Sequence, residues 1–290
     1  MYYDCHIHMV LDGADWKAAL AVHRNEPNEA IIRANLTRYQ EAGFTYLREG
    51  GDRWGVGAKA RSLAPEYGIQ LVTPLSPLCM AGHYGSFIGT KFETVRDYAA
   101  LVAKLRQQGA DFIKIMISGL MDFDRPGVLT EPGLEPAIIR EMIHIAHEEG
   151  FPVMAHANGA RTVEAAAAAG VDSIEHGAYL DGAALDAMCE NGTVWVPTLS
   201  TIGNLLGKGR FDDGAIGDIL DSAAENVRKF AGLHGLLAPG TDAGAWAVPH
   251  GSLTEYALFR AILPETADAI LQQGAKAIMA KFSGAHSSVY

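Results

Sequence analysis

A (β/α)8 barrel of the TIM type is the fold class that this sequence predicts, and three observations carry the prediction. Strand-like and helix-like segments alternate along the 290-residue chain. The strand segments are short, near-continuous apolar runs, as expected where helices cover both faces of a parallel sheet. Many helices stop at a glycine that opens the next strand, as in Glu41-Ala42-Gly43-Phe44 and Ala169-Gly170-Val171, where a left-handed C′ residue satisfies the last carbonyls. A doubly wound open sheet is the rival architecture. No linker, repeat or low-complexity stretch divides the chain, which predicts one domain over residues 1–290.

Taken in order, the strand segments are 2–9, 44–49, 69–75, 112–118, 152–157, 173–177, 193–199 and 236–241. Helix segments fill the intervals at 29–42, 57–67, 95–108, 135–149, 160–169, 182–189, 221–233 and 254–263, with a last helix over 267–282. The run Ala165–Ala169 reads as a thin helix surface for close packing. The glycine-rich stretch 203–217 carries neither GxxxxGK[ST] nor GxGxxG and reads as a loop over the barrel mouth.

Composition excludes several function classes. A net charge of -11 disfavours nucleic-acid backbones and anionic membranes as partners. With 49% hydrophobic and 20% charged residues the chain is ordinary globular protein; it contains no 18-residue apolar run, and a protein without a signal sequence is expected. Three scattered cysteines (Cys5, Cys79 and Cys189) argue against a disulfide framework and for a reducing, cytoplasmic location.

Barrel chemistry belongs at the C-terminal ends of the strands, so polar residues interrupting the strands mark the candidate site. The first strand ends in His6-Ile7-His8, whose alternation puts both imidazoles on one face, with Asp4 on the same face to orient one of them. Lys114 lies inside Phe-Ile-Lys-Ile-Met-Ile, His156 and His176 end the fifth and sixth strands, and Asp242 tips the eighth. Alone, each could be a hydrogen-bonded core residue or a turn cap. Together they form one convergent cluster suited to metal. A lysine has only donors and cannot ligate as an ammonium. Carboxylated by carbon dioxide, Lys114 would offer two oxygens to bridge two divalent ions about 3.5–4 Å apart with a hydroxide between them. His144 and His147 lack the HExxH arrangement and read as a solvated helix face.

With these residues placed, the chain resembles the amidohydrolase superfamily, in its imidazolonepropionase-like and Xaa-Pro dipeptidase-like branch. The resemblance rests on Asp-Cys-His-Ile-His, the segment 41–51, Gly-Ala-Asp-Phe-Ile-Lys-Ile-Met-Ile-Ser-Gly (109–119), Ala-His-Ala-Asn-Gly (155–159), Ala-Gly-Val-Asp-Ser-Ile-Glu-His-Gly (169–177), Gly-Thr-Asp-Ala-Gly (240–244) and Pro-His-Gly (249–251). It implies that His6, His8 and Asp242 bind one metal, His156 and His176 a second, and an N6-carboxylysine at Lys114 bridges the two ions, zinc being favoured. Asp242 would also shuttle the proton. The implied reaction is hydrolysis of an amide, cyclic amide or related carboxyl derivative: a dipeptide, N-acyl amino acid or lactam-like small molecule. A metal-dependent deaminase is the alternative on the same scaffold, and a Schiff-base aldolase using Lys114 would leave the four histidines without a task.

Two departures stand out. Relatives carry a β-sandwich that is not evident here, which suggests self-association as a homo-oligomer. The loop after the third strand reads Ala81-Gly82-His83-Tyr84-Gly85 in place of Gly-Gly-His-Gly, and Asn158 stands where many relatives have a second histidine. His83 is expected to face the substrate as a catalytic group. Arg48, His83, Tyr84, Asn158 and His250 are expected to line the mouth and favour a substrate carboxylate, unless Arg48 pairs with Glu49 or Glu175 instead.

Overall fold

The structure, a computed structural model, describes residues 1–283. Nine strands are present among the described residues: β1 (Tyr2–Ile7), β2 (Phe44–Glu49), β3 (Gln70–Val72), β4 (Leu78–Met80), β5 (Thr90–Phe92), β6 (Ile113–Met116), β7 (Val153–Ala157), β8 (Ser173–His176) and β9 (Val194–Val196). Every ladder is parallel. The strands form a three-stranded sheet, β1-β2-β3, and a six-stranded sheet, β5-β4-β6-β7-β8-β9.

The two gaps between these sheets show how the predicted strands depart from the observed ones. The predicted third strand, 69–75, is shortened to β3, which pairs with β2, and β4, beyond the predicted segment, pairs with β6. Pro74 and Pro77 lie between β3 and β4 and have no N–H to donate, and Leu75 is left-handed with φ 65°. Here Asp111 N–H donates to the Thr73 carbonyl (3.0 Å) and Thr73 N–H to the Asp111 carboxylate (2.8 Å).

The predicted eighth strand, 236–241, forms no ladder. It runs between β9 and β1 on single hydrogen bonds: Trp195 N–H to Leu236 O, Cys5 N–H to Pro239 O, Asp242 N–H to His6 O and His8 N–H to Ala243 O, all 2.7–2.8 Å. Pro239 lacks a donor and Asp242 is left-handed (φ 55°), which interrupts regular pairing. A Cβ on Gly240 would stand 2.3 Å from Val196 and 3.0 Å from the His6 Cβ, so only glycine lets the segment lie this close.

The helices follow the sequence signals closely. Glu29–Ala42 is capped by Asn28, which accepts from Ile31 N–H, and ends at left-handed Gly43. Val95–Gln107 opens with a Thr94/Asp97 capping box. Helix Asp213–Gly232 starts well before the predicted 221, because Asp212 caps it by accepting from Ala215 N–H. Two short helices, Trp16–Val22 and Ser200–Gly203, were not predicted. The last helix, Ala267–Phe282, lies where expected.

Helix-to-sheet packing buries Ile32, Leu36, Leu47, Ile115, Ile143 and Ile174, among others. A second cluster (Tyr46, Phe112, Met154, Phe282) fills the space beneath the polar strand ends. Burying each such side chain stabilises by about 1.5–3 kcal/mol. A third cluster, including Met121, Ile202, Leu205, Ile216 and Ile219, gathers the loops at the opposite end. No helix among the described residues is long and apolar enough to cross a membrane.

Candidate metal centre

Four imidazoles, one carboxylate and one amine converge where the sequence expects them. His6 Nε2 and His8 Nε2 are 3.3 Å apart, and Asp242 Oδ1 lies 3.5 and 3.4 Å from them respectively. These three buried groups meet the spacing of a cation site. His176 packs 5.1 Å from His6, and His156 4.6 Å from His176, between ring centres. Lys114 is buried with no hydrogen-bond partner for Nζ.

Each side chain is aimed by neighbours. His6 Nδ1 is held by Glu175 Oε2 (2.8 Å), His176 Nδ1 by Thr198 Oγ1 (2.7 Å), and His156 Nε2 by the Gly119 carbonyl (3.1 Å). Each of these three rings therefore keeps one nitrogen for a ligand, and the partner sets its tautomer. His8 lies against Gly50, where any Cβ would come 2.4 Å from its Cε1. His176 (φ 68°), Thr198 (φ 49°) and Asp242 (φ 55°) all adopt left-handed backbone. Such concentration of non-glycine strain is typical of functional positions.

Burial dominates the electrostatics. It pushes the His8 and His156 pKa values down to about 3 and those of His6 and His176 well below the usual range. All four rings are thus neutral, with lone pairs free for coordination. Burial likewise lowers Lys114 to about 8 and raises Asp242 to about 8. Buried, unpartnered atoms at His8 Nδ1, Lys114 Nζ and Asp242 Oδ1 leave this pocket electrostatically incomplete. Divalent cations fit that donor set.

Several expectations need correction. Asp4 does not orient a histidine ring: its carboxylate accepts from Thr241 N–H (2.9 Å) and Oγ1 (2.6 Å), tying β1 to the segment that presents Asp242. Glu175 takes the orienting role instead, on the strand carrying His176. Arg48 never reaches the mouth. It is 0% exposed and donates to Glu175 Oε1 (2.8 Å), Ser173 Oγ (2.7 Å) and the Cys5 carbonyl (2.7 Å), with its guanidinium over the Phe282 ring. His250 is buried with both nitrogens engaged, by Tyr39 Oη (3.1 Å) and the Leu11 carbonyl (2.8 Å).

His83 does not join the cluster. Its N–H closes a turn onto the Met80 carbonyl, and its ring stands 3.9 Å from Glu131 outside the cavity lining. Tyr84 takes the inward position, its ring 4.8 Å from His156. Asn158 lines the cavity, yet its amide is spent on the Gly119 carbonyl and Ala178 N–H, bracing the loop behind His156. Above the cluster opens a cavity of about 790 Å³. Part of its wall comes from Leu205, Arg210 and Phe211, in the glycine-rich stretch expected to overlie the mouth.

Comparison with known proteins agrees with this fold. A Xaa-Pro dipeptidase structure with bound methionine superposes with a TM-score of 0.76 at 24% identity, over 96% of this chain and 75% of that one. The A. niger ochratoxinase structure gives 0.76 at 20% identity, over 96% of this chain and 68% of that one. An uncharacterized Mycobacterium tuberculosis protein is 26% identical over 245 residues, which is 81% of this chain; the chain spans 63% of the length of that curated relative. The sequence model of the amidohydrolase family matches residues 2–210, and the chain belongs to that family.

Proposed function

We propose that this protein is a metal-dependent hydrolase that cleaves the C–N bond of an amide, cyclic amide or related carboxyl derivative. The observation that carries the reading is Lys114 Nζ: a buried amine without a partner, set among four neutral imidazoles and Asp242. An isolated buried ammonium costs several kcal/mol. Carboxylation would replace the ammonium by a carbamate anion, whose charge two cations would compensate and whose oxygens would join the two sites.

His6, His8 and Asp242 would hold one divalent ion, His156 and His176 the other, and carboxylated Lys114 would belong to both, with zinc favoured by the imidazole ligands. When bound, such ions polarise a carbonyl and lower the pKa of water. The chain's own groups supply the rest. The Asp242 carboxylate would take a proton from the attacking water as the C–O bond forms and the carbonyl becomes a tetrahedral adduct, then pass it to the nitrogen as the adduct collapses and the C–N bond breaks. Glu175 and Thr198 fix the rings of His6 and His176. A reducing cytoplasmic setting suits the free cysteines, and self-association remains part of the proposal.

The test is metal analysis of purified protein together with Lys114→Ala. About two divalent ions per chain, amide hydrolysis sensitive to chelators, and loss of both in the variant support the reading. A metal-free protein indifferent to chelators, or a fully active Lys114→Ala variant, overturns it.

A further inference from the structure

The cavity above the metal centre has two aromatic walls. Trp16, Tyr84 and Phe87 form one: Trp16 meets Phe87 edge-on at 5.7 Å, and Tyr84 lies 5.9 Å from Phe87. Phe123, Phe211 and Trp246 form the other: Phe211 lies 5.3 Å from Phe123 and 6.4 Å from Trp246. These residues come from five separate segments of the chain. Trp16 is 48% exposed, a poor use of an indole unless something covers it.

The charges at this mouth oppose the sign of the molecule. Net charge is -11, yet the basic groups lining the outer cavity are Lys17 and Arg210. The nearby acid, Asp15, is turned to its own helix and accepts from Lys17 N–H and Ala18 N–H. Arg210 has no carboxylate partner among the described residues. Its guanidinium lies 4.6 Å from the centre of the Trp246 ring and 5.2 Å from that of Phe211, which holds the fork in place while leaving its N–H groups unused. Of the basic groups expected from sequence to meet a substrate carboxylate, Arg48 and His250 are buried and engaged, and His83 lies outside the cavity lining beside Glu131.

We propose that the cavity selects amides carrying a flat aromatic group between the two walls and a carboxylate at the mouth, read by Arg210. This deepens the amide-hydrolase reading and rests on it for the cleavage step, in which water adds across the C–N bond to give an acid and an amine. Recognition, however, stands on the cavity alone and can be measured without turnover.

Two measurements test it on the protein as purified and after loading with zinc. The first is calorimetric binding of 3-phenylpropionate, 3-phenylpropionamide and butyrate. We expect 3-phenylpropionate to bind about tenfold or more tightly than either analogue, the scale of one charge-assisted hydrogen bond or one buried ring. Arg210→Met should bring the acid-to-amide ratio near one, while Lys208→Met, an exposed change in the same loop, should keep it. The second is hydrolysis of N-acetylphenylalanine against its carboxamide and N-acetylalanine, with the same preference expected in kcat/KM and its loss in Arg210→Met through KM. Equal binding of all three ligands, or a ratio unmoved by Arg210→Met, overturns the inference even if amides are hydrolysed. Selective binding without any hydrolysis would sustain it and count against the amide-hydrolase reading instead.

Discussion

Glu175 Oε2 sits 2.8 Å from His6 Nδ1, while the other oxygen of the same carboxylate receives Arg48 (2.8 Å) and Ser173 (2.6 Å). One side chain therefore connects the candidate metal ligands to a guanidinium buried against Phe282. A carboxylate behind a ligating imidazole fixes its tautomer and raises its basicity.

Replacing Glu175 by Gln keeps the shape but removes the charge facing both His6 and Arg48. Metal affinity should fall about 10- to 100-fold, measured by competition with a chromogenic chelator. Arg48→Met removes the other half of the pair and leaves Glu175 buried and uncompensated. Its cost should appear as about 3–5 kcal/mol in denaturant unfolding. If Glu175→Gln binds metal like the parent protein, the carboxylate is only structural.

This relay also marks where reading the sequence stops. His6, His8, Lys114, His156, His176 and Asp242 were legible because each is a polar residue with no local reason to sit at an apolar strand end, and parallel barrels bring those ends together. The helix end at Gly43 was legible because a left-handed C′ glycine acts through bonds a few residues away. Arg48 pairs with Glu175, the alternative to a substrate contact that the sequence left open, whereas His250 was misplaced because its partner Leu11 lies 239 residues away and no local pattern encodes such a pair. Asp4 was assigned to a histidine ring by strand alternation, but the β1 register shifts between Asp4 and Ile7, and a bulge redirects side chains. Arg210 lay in a stretch whose glycines hid its stacking on Trp246.

Lys114 gives a pH prediction. Burial lowers its pKa from 10.5 to about 8, and only the neutral amine attacks carbon dioxide. In protein stripped of metal and carbon dioxide, the neutral fraction rises with pH until it levels off above about 8, and falls about tenfold per unit well below it. Reactivation at fixed dissolved carbon dioxide, with metal added last, should accelerate from pH 6 to 8 and then flatten. A rate that keeps climbing toward pH 10 would mean that burial does not depress this amine.

Thr198 offers a smaller effect. Its hydroxyl, 2.7 Å from His176 Nδ1, is the partner that leaves Nε2 free. Thr198→Val preserves volume and β-branching while deleting that partner, so one ion of the proposed pair should bind more weakly, by about tenfold or more. Metal titration should then show two unequal classes of site. Two equal and unchanged sites would remove Thr198 from the account.

Two glycine substitutions separate the metal centre from the scaffold. At Gly274, in the last helix, a Cβ would stand 1.9 Å from the Leu237 carbonyl oxygen, and neither partner can move without shifting backbone. Gly274→Ala should push the helix off the 236–243 segment and destabilise the protein by about 1–3 kcal/mol, the usual scale for overpacking. At Gly50 the obstructed group is different: the new Cβ would meet His8 Cε1 at 2.4 Å, and that ring can swing about its own side-chain bonds. The movement relieves the clash at small cost in stability but takes His8 Nε2 away from His6 and Asp242. Gly50→Ala should therefore melt within a few degrees of the parent protein when metal-free, yet lose the stabilisation that added zinc gives the parent. Thermal unfolding with and without zinc distinguishes the two variants. A Gly50→Ala protein stabilised by zinc as strongly as the parent would show that His8 is not a ligand.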